Sequence, residues 1–270
     1  MRIAELFANQ SWIGPGLYCA LMNARNRLRM KRHRIRPAEE GVYAVEDEKD
    51  RLFICRRSRH NRSRRGVMAG VDFVARQYGL DRIGGIRGGA FVDCGANVGE
   101  FGLWARSRGM RYFAFEPEET EARCCDLNNY AGERRTHRAA LWKEAGTLEF
   151  HMKPDTADSS LISWGGDALV KKVRAERLDA ALSSEDLAGG PNVLKVEAEG
   201  AEPEVLAGAS GVLRLFDYVA IDCGPERGPE RRHTFVETSG LMIEAGFRPM
   251  SADFDRVTVL YRNAARVSGP

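Results

Sequence analysis

The residues of this chain that could carry chemistry lie where predicted strands end and glycine-rich or acidic turns begin. FVDCGANVGEFG, residues 91–102, runs from an apolar strand through Asp93 into a turn that contains Gly95 and Gly99. Small residues in a strand-to-helix turn let backbone N–H groups approach a ligand closely. Asn97 also tolerates the left-handed backbone that such turns use. The pattern is typical of a nucleotide or nucleoside site, although a purely structural turn can share it.

A second acidic residue supports the nucleoside interpretation. Glu116 follows Gly95 by 21 residues and ends the next predicted strand, where a carboxylate accepts hydrogen bonds from ribose hydroxyls. The two features do not identify the cofactor. A dinucleotide site normally has a third glycine, which GANVG lacks, and the carboxylate of Asp93 repels a pyrophosphate. That carboxylate suits the sulfonium of S-adenosylmethionine, so charge favours the methyl donor.

Strands and helices alternate from about residue 86 and must position these residues. The predicted strands cover 90–94, 111–117, 137–142, 192–200 and 217–223, with an extended piece at 146–152 and a closing strand pair near the C-terminus. The predicted helices cover 99–109, 118–130, 202–215 and 230–245. This alternation predicts an open α/β sheet of parallel strands covered by helices on both faces. Ligands of such sheets bind outside the carboxyl ends of the strands.

Acidic residues at the later strand ends are the candidates for catalysis. Glu197 and Glu199 end the fourth strand on one side of it, because strand side chains repeat every two residues, and they suit a proton acceptor or an acceptor anchor. His233, after the fifth strand, is an alternative base, although a histidine at a helix start is more often a surface residue. With Asp222, the two glutamates offer hard oxygen ligands for a divalent cation. Their spacing does not require a metal, and none is predicted.

Residues 1–85 differ from the rest of the chain in charge. They contain 18 Lys and Arg against 9 Asp and Glu, a net charge of +9, whereas residues 86–270 contain 23 against 29, a net charge of −6. Arginine is concentrated in the segments 25–36 and 56–66, and a hairpin is predicted around a turn at 48–50. The asymmetry indicates that the basic section serves a different purpose from the acidic remainder.

Four interpretations of the basic section stay open. It could contact nucleic acid, an anionic membrane surface, an acidic or phosphorylated acceptor, or the acidic domain of the same or a second subunit. Neither arginine-rich segment contains Phe, Tyr or Trp, which disfavours a single-strand nucleic-acid platform.

The six cysteines show no C-x-x-C pair and are too few for a disulfide framework in 270 residues. We expect reduced thiols. The apolar segment at 12–22 is interrupted by Gly14-Pro15-Gly16, lacks a signal-peptide cleavage pattern and is too short to span a bilayer. The expected location is the cytoplasm.

Four blocks of the sequence resemble the FkbM-type methyltransferases. They are FVDCGANVGEFG (91–102), FAFEPEE (113–119), AALWKEAGTLEF (139–150) followed by DSSL (158–161), and LKVEAEGAEPEVLAGA (194–209). The resemblance covers roughly residues 86–262, and Glu197 stands where the family usually has aspartate. It implies a class I, Rossmann-like fold with a mostly parallel seven-stranded sheet. It also implies transfer of a methyl group from S-adenosylmethionine, typically to a hydroxyl oxygen.

The resemblance also assigns cofactor contacts by position. The methionine end of the cofactor would lie against Asp93, Gly95, Ala96, Asn97 and Gly99. Glu116, followed by Pro117, would hold the ribose. Ala140 and Leu141 would border the adenine. Apart from the resemblance, Trp142 could flank the adenine and Trp164 could belong to a flap over the acceptor, although packing at a strand end explains Trp142 and a loop anchor explains Trp164.

The sequence thus predicts a basic extension at 1–85, containing a helix and a hairpin, that binds the acceptor or mediates oligomerisation. A methyltransferase domain at 86–262 and a tail at 263–270 follow. The predicted activity is O-methylation of a sugar, glycan or small-molecule natural product. A homo-oligomer and peripheral membrane contact fit the basic extension, and nucleic acid is disfavoured as a partner. An NAD(P)-dependent oxidoreductase and a non-catalytic nucleic-acid or membrane-associated module are the alternatives.

Overall fold

A computed structural model describes residues 13–152, 160–163 and 169–266 of the chain. Its helices are α1 (Pro15–Leu28), α2 (Val67–Gln77), α3 (Glu100–Ser107), α4 (Glu119–Asn129), α5 (Leu178–Ala181), α6 (Glu202–Gly208) and α7 (Phe235–Glu244). Its strands are β1 (Arg34–Glu39), β2 (Val42–Glu46), β3 (Arg51–Ile54), β4 (Ala90–Cys94), β5 (Arg111–Phe115), β6 (Ala140–Leu141), β7 (Gly146–Met152), β8 (Leu169–Glu176), β9 (Val193–Val196), β10 (Tyr218–Asp222), β11 (Pro225–Arg227), β12 (Arg232–His233), β13 (Phe247–Asp253) and β14 (Thr258–Asn263). Short 3₁₀ helices cover Arg57–Ser63, Leu80–Arg82 and Leu213–Leu215.

A mixed six-stranded sheet in the order β13-β14-β10-β9-β4-β5 forms the centre of the described structure. The strands β5, β4, β9 and β10 are parallel, and β14 and β13 add antiparallel at one edge. Every residue of β4, β9 and β10 is buried, because helices cover both faces of the parallel part. The predicted α/β alternation is confirmed.

The predicted third strand, 137–142, does not join this sheet as a full strand. In the described residues, its first residue, His137, pairs with Phe115 of β5 through an isolated parallel bridge. The chain then diverges, and β6 pairs with β8 in a separate three-stranded sheet ordered β6-β8-β7. The backbone of Trp142 continues this pairing by donating to the carbonyl of Glu176 at 2.9 Å. The sheet has six strands because the hydrogen bonds of residues 140–142 go to β8.

Two hydrophobic cores cover the two faces of the central sheet. On one face, Val205 of α6 and Met242 of α7 pack with residues of β4, β9 and β10. On the other face, Val71 of α2 and Trp104 of α3 pack with Phe91. Residues on both sides of the boundary predicted at 85–86 therefore share a core.

The N-terminal section is a helix packed on a three-stranded antiparallel sheet, β1-β2-β3. The predicted hairpin is confirmed by the pairing of β2 with β3 around residues 47–50. Strand β1 was not predicted, because its sequence RIRPAE buries only Ile35 and shows no apolar alternation. Tyr18 of α1 belongs to a core that also includes Val98 and Cys124 of the following domain.

All six cysteines lie in the described residues and are free thiols. Within the same ranges, no helix has both the length and the apolar character that are needed to cross a bilayer.

Candidate functional site

A cavity of about 350 Å³ opens at the carboxyl ends of the parallel strands β4, β5, β9 and β10. Nine of the sequence-predicted site residues line it: Gly95, Ala96, Asn97, Glu116, Pro117, Ala140, Leu141, Glu197 and Glu199. They meet there because the parallel strands end at one edge of the sheet. Asp93, Gly99 and His233 lie outside the lining that the described residues form.

The turn after β4 depends on glycine at position 95. Gly95 has a φ of +71°, and a Cβ placed there would lie 2.1 Å from the carbonyl oxygen of Glu197. The N–H groups of Gly95 and Ala96 both donate to the carbonyl of Phe115, at 3.1 and 3.0 Å. The left-handed backbone and the close approach of β9 thus both exclude a side chain at position 95.

We expect Gly95→Ala to lower the free energy of unfolding by about 3 kcal/mol, since it adds a steric clash to the cost of left-handed backbone. Gly228→Ala is the matched control, because Gly228 also has a φ of +71° but a Cβ added there would have no atom within 4 Å. It should cost only about 1–2 kcal/mol. Urea denaturation of both variants measures the difference, and equal losses would contradict the role of the clash.

Glu116 lies beneath the same turn and is held by backbone. Its two carboxylate oxygens accept from the N–H groups of Asn97 at 2.8 Å and Glu118 at 2.9 Å. The residue is 6% exposed, and burial raises its pKa to about 8. A carboxylate has about four acceptor positions, so Glu116 can accept further hydrogen bonds from a ligand in the cavity.

Asp93 does not face the cavity, contrary to the position expected for it. It is fully buried, where it accepts a 2.7 Å hydrogen bond from the hydroxyl of Tyr112. Its Oδ1 lies 3.1 Å from the ammonium of Lys195. That ammonium also donates to the carbonyls of Cys94 and Gly95, at 3.2 and 2.8 Å. Asp93 therefore holds Lys195 under the turn, and its charge is compensated inside the protein.

Glu197 is clamped between two cations. Its carboxylate lies 3.0 Å from Lys195 and 2.5 Å from the guanidinium of Arg256. Burial disfavours its charge, but these two cations outweigh burial and hold the pKa of Glu197 well below its usual range. Arg256 also contacts Asp222 at 2.8 Å. A carboxylate with so low a pKa is a weak proton acceptor at neutral pH, so the geometry fits an anchor better than a base.

Glu199 lies in a turn that Glu202 organises. The buried carboxylate of Glu202 accepts from the N–H groups of Ala198 and Gly200 at 3.0 and 3.1 Å, and burial raises its pKa to about 7. Glu199 has a φ of +51°, is half-buried and contributes to the cavity lining. The turn therefore holds Glu199 at the cavity.

Glu226 is a cavity residue that the sequence reasoning missed. It lies on β11, just beyond β10, and burial together with the neighbouring Asp222, Glu202 and Glu197 raises its pKa to about 8. The sequence contains a signal for Glu226, since the PERGPE loop follows a strand end, but that signal does not distinguish Glu226 from the other polar residues of the loop. His233 is exposed on β12, outside the cavity lining.

Gly99 has a packing role. A Cβ at Gly99 would lie 2.3 Å from the Nδ2 of Asn129 and 2.6 Å from the Sγ of Cys125, so this glycine lets α4 approach the turn. Trp142 is half-buried and outside the described cavity lining. Trp164 and the first two residues of the DSSL block, 158–159, lie outside the described residues.

The basic segment 56–62 forms one wall of the site. Arg56 contacts Glu121 of α4 at 2.8 Å. Arg59 and Arg62 both contact Glu100, the first residue of α3, at 3.2 and 2.8 Å, and both line the cavity. The sequence reasoning placed this segment in a separate extension, because nothing in the sequence pairs it with α3. In the described residues, no group of three metal-ligating side chains is found.

Residues 93–256 match the family model described as the methyltransferase FkbM domain, which is more than half of the 270 residues. No curated protein gives a match. Among solved structures, methyltransferase FkbM from Methylobacillus flagellatus KT is similar at 19% identity, over 65% of this chain and 43% of that chain, with a TM-score of 0.43. A SAM dependent methyltransferase from Aquifex aeolicus is similar at 12% identity, over 71% and 88% of the two chains, with a TM-score of 0.38. The chain thus spans less than half of the first of these proteins.

Proposed function

Because the chain belongs to the FkbM methyltransferase family, we propose that it transfers the methyl group of S-adenosylmethionine to a hydroxyl oxygen of a sugar, glycan or other small molecule. The observation that carries a nucleoside-containing cofactor is the arrangement around Glu116. A buried carboxylate at the end of β5, fixed by two backbone N–H groups, faces the cavity next to a turn that excludes a side chain at position 95.

The residues of the cavity fit this cofactor. Glu116 keeps acceptor positions for the two ribose hydroxyls. Ala140, Leu141 and Phe150 offer apolar surface for a base. The volume of about 350 Å³ lies in the range of small-ligand sites.

The charge of the cavity favours a cationic ligand, although not through Asp93. Eight acidic side chains line the described cavity, Glu100, Glu116, Glu118, Glu121, Glu197, Glu199, Asp222 and Glu226, against the four cations Arg59, Arg62, Lys195 and Arg256. A pKa of about 8 leaves Glu116 and Glu226 largely protonated at pH 7 in the free protein, and the other six acids still outnumber the four cations. Such an excess attracts positive charge. It suits the sulfonium and ammonium of the methyl donor and opposes the pyrophosphate of a nicotinamide dinucleotide.

When bound, S-adenosylmethionine supplies a methyl group already activated for in-line displacement. The protein must orient the acceptor hydroxyl and take its proton. We propose Glu226 as the proton acceptor, because its pKa of about 8 lies near the pH at which a base works best. Glu199 is the second candidate from its place in the lining. Glu197, held ionised by Lys195 and Arg256, would accept a hydrogen bond from the acceptor and fix its position.

Glu226→Gln should lower the rate of methyl transfer by about 10²- to 10⁴-fold and leave the affinity for S-adenosylhomocysteine unchanged. The rate of the original protein should rise with pH up to about pH 8, and this dependence should vanish in the variant. Transfer of labelled methyl groups into a panel of sugars and small alcohols measures both. Glu199→Gln is the matched carboxyl-to-amide comparison. A loss confined to the Glu199 variant would assign the base to Glu199.

Calorimetry with S-adenosylhomocysteine, NAD and a short RNA tests the proposed function against its two alternatives. Micromolar binding of S-adenosylhomocysteine alone is the expected result. Binding of NAD instead would indicate the oxidoreductase. Salt-sensitive binding of RNA without either nucleotide cofactor would indicate the nucleic-acid module.

A further inference from the structure

Arg59 and Arg62 present two guanidinium groups to the cavity from one face of a 3₁₀ helix. The helix covers Arg57–Ser63, and residues three apart align on a 3₁₀ helix because it has three residues per turn. Arg56, three positions earlier, anchors the segment to α4 through Glu121. The segment thereby spans the starts of the two helices that follow β4 and β5. Both guanidiniums lie at the edge of the sheet where parallel α/β folds bind ligands.

The two arginines share a single carboxylate. Oε2 of Glu100 lies 3.2 Å from Arg59 and 2.8 Å from Arg62, so this trio retains one net positive charge in a cavity that is otherwise acidic. The side chain of Arg59 is only 12% exposed, and burial lowers its pKa. A guanidinium has five N–H donors. Within the described ranges, that of Arg59 makes one hydrogen bond, to Glu100.

We infer that Arg59 and Arg62 form a subsite for an oxyanion of the ligand that occupies this cavity. The inference rests on the proposed methyl transfer and adds to it the charge of a group on the ligand. A planar guanidinium binds carboxylate or phosphate through two parallel hydrogen bonds.

Two sources offer this oxyanion. One is the carboxylate at the methionine end of the methyl donor, and the other is a carboxylate or phosphate carried by the acceptor. The arginines lie outside residues 93–256 that match the family model. The subsite is therefore a contribution of the basic N-terminal section to the site of the domain that follows it.

The test compares Arg59→Gln, Arg62→Gln and the control Arg65→Gln by calorimetry. Arg65 belongs to the same arginine-rich segment but is exposed and outside the described lining. Each protein is titrated with S-adenosylhomocysteine and with 5′-methylthioadenosine, which lacks the amino acid part. Each is also titrated with inorganic phosphate, once without a nucleoside and once in the presence of S-adenosylhomocysteine. Arg62→Gln keeps the contact between Arg59 and Glu100, so it remains informative if Arg59→Gln unfolds.

If the oxyanion belongs to the donor, Arg59→Gln and Arg62→Gln weaken S-adenosylhomocysteine binding by about 10- to 100-fold and leave 5′-methylthioadenosine binding unchanged. If it belongs to the acceptor, nucleoside binding is unaffected, and the phosphate binding of the original protein is lost in these two variants. The inference is overturned if the variants behave like Arg65→Gln, or if both nucleosides are weakened equally. If the original protein binds neither nucleoside, the proposed function is rejected. The subsite is then tested by the titration with phosphate alone, in which Arg59→Gln and Arg62→Gln are compared with the original protein.

Discussion

Replacing Lys195 with methionine should lower the free energy of unfolding by about 3–5 kcal/mol, the usual cost of removing one partner of a buried ion pair. Lys195 is 1% exposed and lies within 3.1 Å of Asp93 and 3.0 Å of Glu197. Methionine has a similar length and fills the space, but it leaves Asp93 buried without its cation. The carbonyls of Cys94 and Gly95 lose their donor as well.

The pH dependence of this loss distinguishes lost charge from lost packing. Lys195 and Arg256 depress the pKa of Glu197 below its usual 4.5. This depression contributes stability at pH values above 4.5 that is lost as the pH falls through the folded-state pKa. The loss of unfolding free energy in Lys195→Met should therefore be largest near pH 7 and smaller below pH 4.5. Denaturation by urea at both pH values measures it.

Lys171→Met is the control for Lys195→Met, because Lys171 is exposed on β8. It should change the free energy of unfolding by less than about 0.5 kcal/mol. The double variant Asp93→Asn, Lys195→Met should lose less than the sum of the two single variants, since the two side chains are in contact. Additive losses, or a deficit that does not change with pH, would show that the ion pair is not what stabilises the turn.

The second large effect is expected at Glu116. Glu116→Gln should weaken S-adenosylhomocysteine binding about 100-fold, because an amide cannot replace a carboxylate that accepts from two backbone N–H groups and a ribose diol. Glu119→Gln is the control. Glu119 begins α4, the helix that follows Glu116, but its side chain is exposed and pairs with Arg134. Calorimetry of both variants provides the comparison, and equal affinities would remove Glu116 from the cofactor site.

The affinity for the nucleoside should also depend on pH through Glu116. Burial raises the pKa of Glu116 to about 8 in the free protein, whereas hydroxyl donors favour its ionised form. Binding should therefore release a proton near pH 7, and the affinity should rise with pH until about pH 8. Calorimetry in buffers of different ionisation enthalpy detects the proton. If proton release persists in Glu116→Gln, the released proton comes from another group.

The raised pKa has the opposite consequence for the stability of the free protein. Between pH 4.5 and about 8 the folded state holds the proton of Glu116 more tightly than the unfolded state does. The contribution of this residue to the free energy of unfolding therefore falls as the pH rises through that range.

Much of the cavity lining could be predicted from the sequence. The elements around it are local patterns: the apolar runs of β4, β9 and β10, the glycine turn, and an acid at the end of β5. Parallel strands bring such strand ends together without any further information. The seven-stranded sheet is not confirmed, because strand pairing is not local and residues 140–142 find their partner in β8.

The sequence by itself determined where the turn and strand ends lie, because backbone conformation and hydrophobic periodicity depend on neighbouring residues. Only the tertiary structure decided what each charge does. Asp93 turns from the cavity to Lys195, Glu197 is clamped by Arg256, which is 59 positions away, and Arg59 reaches Glu100 across 41 positions. The charge state of a carboxylate is set by burial and by cations within a few ångströms. Those neighbours come from distant parts of the chain, and no spacing in the sequence specifies them.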